Sequence, residues 1–180
     1  MMLYIVEMAL NPGHTDKDWY RWQSDMKSAE LLMSVRGFRS AQRFKGLSDP
    51  LAYCAIYSIA AAEVMASPEY RSVGGGVRVE HWNSHIAYWH RDIVDGVTIA
   101  PPVPEGYVLL VKNAPSLDFP EGGLPFIRLT TVGLNKSVPY RGIAVVAADE
   151  AKCRIGEGSD IRVYEAIAPQ LLAVASSPSQ

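Results

Sequence analysis

The chain has 180 residues, 48% of them hydrophobic, with a net charge of −2 and a pI near 6.1. That is enough apolar material for one substantial core or two small ones, so default disorder is excluded, and no basic field points to nucleic acid or an anionic membrane as partner. Cys54 and Cys153 stand far apart without metal-ligand spacing, which argues against a disulfide framework or a zinc site and for a reducing, cytoplasmic setting.

The first residues, Met1 to Glu7, lack the basic region and long apolar core of a signal peptide, and no apolar run approaches the roughly 20 residues that span a bilayer. Leu3–Leu10 reads as a strand ended by the turn residues Asn11-Pro12-Gly13. Thr15 can cap the helix that follows, with Asp16 and Asp18 in its first turn, where the helix dipole favours negative charge. Trp19, Trp22, Met26, Ala29 and Met33 then recur at spacings of three and four, one apolar stripe that must be buried. Gly37 supplies the left-handed residue that ends such a helix, and Phe38–Phe44 changes to strand composition.

After the loop Lys45–Pro50 comes a second strong strand, Leu51–Ile59, making a hairpin. Ala60 to about Val73 reads as a helix interrupted near Ser67-Pro68 and ended by Gly74-Gly75-Gly76. His85–Val94 is the fourth strand. The order β-α-β-β-α-β is that of a ferredoxin-like domain, whose helices cover one sheet face and leave the other in need of a partner.

Asp95–Gly106, with Pro101, Pro102 and Pro104, is the expected boundary, giving a domain at 1–96, a linker at 97–106 and a second segment at 107–180. In that segment Tyr107–Lys112, Phe126–Leu134, Arg141–Ala148 and Asp160–Ile167 read as strands and Asp149–Ile155 as a short helix. Tyr107-Val108-Leu109-Leu110-Val111 echoes Leu3–Val6, so the segment is either a degenerate second repeat or a β-rich extension. If a repeat, it has lost its first helix, because Asn113–Pro125 is rich in Pro and Gly and has no helical period. Ala168–Gln180 starts as a short helix and frays.

The wording of the first turn carries a resemblance. Ser-Val-Arg-Gly-Phe-Arg-Ser-Ala-Gln-Arg-Phe (34–44), Tyr53-Cys54-Ala55-Ile56-Tyr57 and Ala66-Ser67-Pro68-Glu69-Tyr70-Arg71 are similar to the dimeric α+β barrel superfamily, and within it to the EthD-like group, over residues 3–95. The resemblance implies an α+β fold in which two ferredoxin-like sheets pack face to face as a barrel, usually in a homodimer, otherwise as tandem halves of one chain. The superfamily holds isomerases, cyclases, dehydratases, cofactor-free oxygenases, haem enzymes and proteins without known catalysis. EthD-like proteins often carry an acid/base histidine in the first helix. Here those positions fall around Met26, Lys27 and Ser28, which moves attention elsewhere.

The densest polar cluster is Glu80–Asp92, holding three of the four histidines. If 85–91 is extended, His85, Trp89 and Arg91 share one face and Tyr88, His90 and Asp92 the other. Histidine suits acid/base work because it titrates near neutrality. The catalytic candidates are therefore His85, His90 and Asp25, the last on the edge of the apolar stripe where a carboxylate could be desolvated. Packing and solvent-exposed roles compete for each of them. Arg39 and Arg43, on one face of their strand, could bind a carboxylate or phenolate. Tyr4, Trp22, Tyr57, Tyr88, Trp89 and His81 complete the expected substrate-binding set, with core packing as the competing role of the aromatics.

No metal is expected: His81 and His85 stand at i and i+4, but no Glu follows His81 in the protease pattern. Gly74-Gly75-Gly76 lacks the Lys-Ser/Thr of a phosphate loop and no nucleophile elbow occurs, so no cofactor is expected. Haem, on a histidine as axial ligand, is the exception that the resemblance leaves open, though no attachment motif is present. The resemblance then implies a cofactor-independent enzyme, a homodimer, acting by acid/base chemistry on a small cyclic or aromatic metabolite, as dehydratase, isomerase or oxygenase. The alternative is a non-catalytic small-molecule-binding accessory protein.

Overall fold

The computed structural model describes residues 1–14, 17, 19, 28–73, 80–119, 122–155 and 159–173. The first half folds as β1 (Met2–Leu10), a helix Ser28–Met33, β2 (Phe38–Gly46), β3 (Ala52–Ile59), a 3-10 turn Ala62–Ala66, a helix Pro68–Val73, a second 3-10 turn Glu80–His85 and β4 (Ile86–Asp95). The second half is β5 (Tyr107–Ala114), β6 (Ile127–Leu134), β7 (Tyr140–Ala147), a helix Ala148–Arg154, β8 (Ile161–Ala166) and the short β9 (Leu171–Leu172).

The strands run in the order β3-β1-β4-β6-β7-β5-β8-β2, and β2 pairs back onto β3, so eight antiparallel strands close a barrel. Each half supplies four neighbouring strands in the ferredoxin-like order. They are stitched together at two seams, β4 to β6 and β2 to β8. The sheet face left open by the first half is thus covered by the second half of the same chain. The barrel interior is one shared core, with Leu3, Ile5, Phe44, Cys54, Ile56 and Val94 from the first half against Leu109, Val111, Leu129 and Ile143 from the second. Alternation along each strand sends the intervening residues outward.

Outside, the two halves are covered differently. Over the first, Ala29, Leu32, Val35 and Tyr70 pack on Tyr4, Tyr57 and Phe38. Over the second, no helix forms in the described part of the β5–β6 connection, and Phe119, Leu124 and Phe126 lie on the sheet in its place. Gly142 on β7 makes room for them: a Cβ there would stand 2.6 Å from the Phe119 ring and 2.9 Å from that of Phe126.

The connection 96–106 seals the end of the barrel at which β1 begins. The Gln42 side chain donates to Val103 O at 2.9 Å and Ala168 O at 3.1 Å and accepts from Val103 N–H at 3.0 Å. The Ser58 hydroxyl, 2.6 Å from that of Ser40, accepts from Ala100 N–H at 2.8 Å. Val103 and Ala100 are buried against the core as a plug.

Three local readings change. The fourth strand starts at Ile86, and His85 ends a 3-10 turn instead of standing in the strand. The helix expected over 60–73 is two short pieces split at Ser67, whose backbone is extended as a residue before proline requires. Leu171–Leu172 is extended rather than helical, because β8 reaches only Phe44–Gly46 of β2 and leaves Ser40 and Ala41 to be paired by β9.

Candidate functional site

At the opposite end of the barrel, where β1 and β5 finish, the interior changes from apolar to charged. Glu7 on β1 continues the inward series Leu3, Ile5, Glu7, Ala9, so strand alternation buries it to 4% exposure. Its carboxylate accepts from Arg141 Nη1, from Arg162 Nε at 2.8 Å and Nη2 at 3.3 Å, and from the Tyr164 hydroxyl at 3.0 Å. Burial opposes charge on Glu7, but the two guanidiniums outweigh it and hold the carboxyl below its usual range. Burial also pushes the Tyr164 hydroxyl up, with Glu7 adding to the effect, so Tyr164 stays a donor.

Arg141 is bracketed by a second carboxylate: Nη2 donates to Asp92 at 2.6 Å and to the Ser137 hydroxyl at 3.0 Å. Asp92 also accepts from Ser137 N–H at 3.0 Å and from its hydroxyl. Burial works against the Asp92 charge, and these bonds with Arg141 overcome it and lower its pKa. The loop carrying Ser137 is tied to β4 a second time, Arg91 N–H donating to Asn135 Oδ1 at 2.8 Å. Leu134, at the end of β6, and Lys136 in the loop adopt left-handed backbone, φ 61° and 49°, a cost that the two anchors sustain.

Above this network lies a cavity of about 370 Å³ lined by Glu7, Tyr88, His90, Asn113, Ser137, Val138, Arg141 and Arg162. His90 stands directly across from Glu7 in the β1–β4 register and is exposed at the mouth. Its ring stacks on Tyr88, centroids 5.3 Å apart and planes 23° apart. Burial, and then Glu7, raise the pKa of the Tyr88 hydroxyl. Arg141 is 1% exposed, whereas the Arg162 side chain keeps 32% and is the cation among the lining residues that a ligand can reach.

Of the residues singled out from sequence, Tyr88 and His90 line this cavity. The face Tyr88, His90, Asp92 points inward, and Trp89 packs outside, against the cluster of Met8, Leu10, Trp19 and Tyr53. Tyr4 and Tyr57 are outward too, buried beneath the helices, with Tyr4 and Tyr70 hydroxyls 3.1 Å apart. Burial raises both their pKa values, so they are packed phenols away from the cavity. Arg39 is exposed at a bulge of β2, and Arg43 is half-buried on the outer face near Tyr57, so neither reaches the cavity. His85 meets His14 instead, ring nitrogens 3.1 Å apart and planes at 79°. His81 belongs by its backbone to the turn Glu80–His85. Trp22 and Asp25 lie outside the described residues.

Glu7, Asn113, Arg141, Arg162 and Tyr164 were not singled out, although a signal existed. Glu7, Arg141 and Arg162 are single charges on faces otherwise shared with apolar residues, which in a closed barrel means the interior. Among the described residues, no group of three or more His, Cys, Asp or Glu side chains is placed to hold a metal, and no helix is long and apolar enough to cross a membrane.

No protein-family model matches the chain, and no curated protein matches it as a relative. Solved structures do match its fold. A provisionally named monooxygenase from Lactobacillus acidophilus is 11% identical, covers 93% of this chain and 94% of its own, and has a TM-score of 0.55. An anthrone oxidase-like protein gives 10%, 96%, 93% and 0.57, and a provisionally named chlorite dismutase 13%, 93%, 96% and 0.53. The fold is therefore that of the dimeric α+β barrel proteins, with both halves of the barrel in one chain. The likeness is one of fold and does not single out the EthD-like group.

Proposed function

We propose that the protein is an enzyme that moves a proton on a small cyclic or aromatic metabolite held in the upper barrel, using its own side chains. The observation that carries this is a histidine at the mouth of a cavity whose charged groups are already fixed. The exposed His90 ring lines the cavity, its stacking on Tyr88 sets the ring plane, and Arg162, locked by Glu7, offers positive charge to an oxygen that becomes anionic. A guanidinium pre-oriented by a buried carboxylate does not have to reorganise during the reaction.

The cavity suits the ligand size. A cavity of about 150 Å³ holds a benzene, and small-molecule sites begin near about 300 Å³, so 370 Å³ takes one or two rings. The resulting enolate or phenolate could isomerise, lose water or react with dioxygen, and the names of the solved structures with this fold favour oxidation. The test is a panel of hydroxylated aromatics, dihydrodiols and unsaturated lactones, incubated with and without oxygen and read by mass spectrometry. Turnover only in air indicates an oxygenase, and turnover in both an isomerase or dehydratase. His90→Ala should lower the rate by about 10²–10⁴-fold. Binding without turnover in every case would replace the enzyme with an accessory binding protein.

A further inference from the structure

The Arg162 guanidinium has two of its three edges committed. Nε and Nη2 together grip the Glu7 carboxylate, at 2.8 and 3.3 Å, in the side-on fork that planar guanidinium and carboxylate groups share. The other N–H of Nη2 donates to Asn113 Oδ1 at 2.9 Å, and because the partner is a donor, it is the amide oxygen that faces it. Nη1 takes no part in the bonds to Glu7 and Asn113, and the Tyr164 hydroxyl lies on the buried side of the same guanidinium. The side chain is 32% exposed and lines the cavity beside Asn113, Tyr88 and His90.

A ligand carboxylate normally docks end-on, one oxygen on Nη1 and one on Nη2. Here the second oxygen would meet Asn113 Oδ1, acceptor against acceptor, and would have to displace it. A lone oxygen, by contrast, can accept from Nη1 with Asn113 undisturbed. We infer that Arg162 and Asn113 together form a one-oxygen subsite, which selects a ketone, enolate or phenolate oxygen over a carboxylate, with Asn113 the specificity-determining residue. This rests on the proposal that the cavity is a ligand site, and it names the chemical class of that ligand. Glu7 sets the orientation of Arg162, and Asn113 removes the arm that a carboxylate needs.

The experiment compares two probes of similar size, 4-nitrophenolate and 4-nitrobenzoate, at a pH where both are anions, by calorimetry on the intact protein. The wild-type protein should bind the phenolate about tenfold or more tightly than the benzoate, the value of one charge-assisted hydrogen bond. Asn113→Ala opens the second arm and should raise benzoate affinity about tenfold while leaving the phenolate nearly unchanged. Arg162→Lys replaces the fork by a point charge and should erase the discrimination without removing anion binding. Equal affinities for the wild-type protein, a benzoate preference, binding of neither probe, or no response of the ratio to Asn113→Ala would overturn the inference. Selective binding of 4-nitrophenolate by a protein that turns over nothing in the panel would uphold it and contradict the proton-transfer reading instead.

Discussion

Replacing Glu7 by Gln keeps the shape of the side chain and removes the charge on which two guanidiniums depend. In the wild type its two oxygens accept from Arg141, twice from Arg162 and from Tyr164, at a site 4% exposed. In the variant the amide Nε2 turns N–H toward N–H, and Arg162 is left without a carboxylate while Arg141 keeps only Asp92. Removing one partner from a buried ion pair costs about 3–5 kcal/mol, a large share of the about 5–15 kcal/mol that holds a domain folded. The loss depends on pH. The folded state holds Glu7 below its unfolded pKa of about 4.3, so its stabilisation is complete above that value and is lost as pH falls through the folded one. Urea unfolding at pH 7 should therefore place Glu7→Gln about 3–5 kcal/mol below the wild type, and the gap should shrink below pH 4. A variant within about 0.5 kcal/mol of the wild type at pH 7, or a gap that widens in acid, would show that Glu7 does not stabilise the fold through its charge.

Gln42→Ala strips the plug of its bonds to Val103 and Ala168 and should cost about 1–3 kcal/mol, seen as a melting temperature lower by several degrees. Gly142→Ala drives a methyl into Phe119 and Phe126 and should cost about 1–3 kcal/mol by overpacking, measured by chemical denaturation. Tyr4→Phe removes one buried hydroxyl contact, to Tyr70, and should lower stability by about 1 kcal/mol while leaving ligand affinity in the cavity unchanged, which titration calorimetry checks.

Much of the fold was legible because its punctuation is local. Gly37, with φ 104°, ends the helix, and Asn11-Pro12-Gly13 ends β1. The period-2 pattern of Ile86–Asp95 also separated Tyr88 and His90 from Trp89 correctly. What alternation could not decide is which face is inside. In a closed barrel wrapped by helices both faces of a strand are buried, so Tyr4 and Tyr57, outside, look like Leu3 and Ile56, inside. Arg39 and Arg43 were expected on a common face of β2, but a bulge between Phe38 and Ser40 breaks the alternation at Arg39, and Arg43 stands on the outer face. The ion network was hidden for a different reason: Glu7 meets partners 134 and 155 positions away, a pairing that exists only once the second half closes the barrel. That closure was obscured because the described part of the β5–β6 connection holds no helix, and Phe119, Leu124 and Phe126 cover the sheet at Gly142 instead.

Proton transfer between His90 and a ligand in the upper cavity is tested by exchange of a cyclic ketone or phenol ligand in deuterated water, followed by mass spectrometry with the wild-type protein and with His90→Ala. Deuterium should enter at the carbon α to the carbonyl of the ketone, or at the ring carbon ortho to the phenol oxygen, slowed about 10²-fold or more by the substitution at unchanged melting temperature. Exchange at equal rates in the two proteins, or a bound ligand that takes up no deuterium, would contradict it.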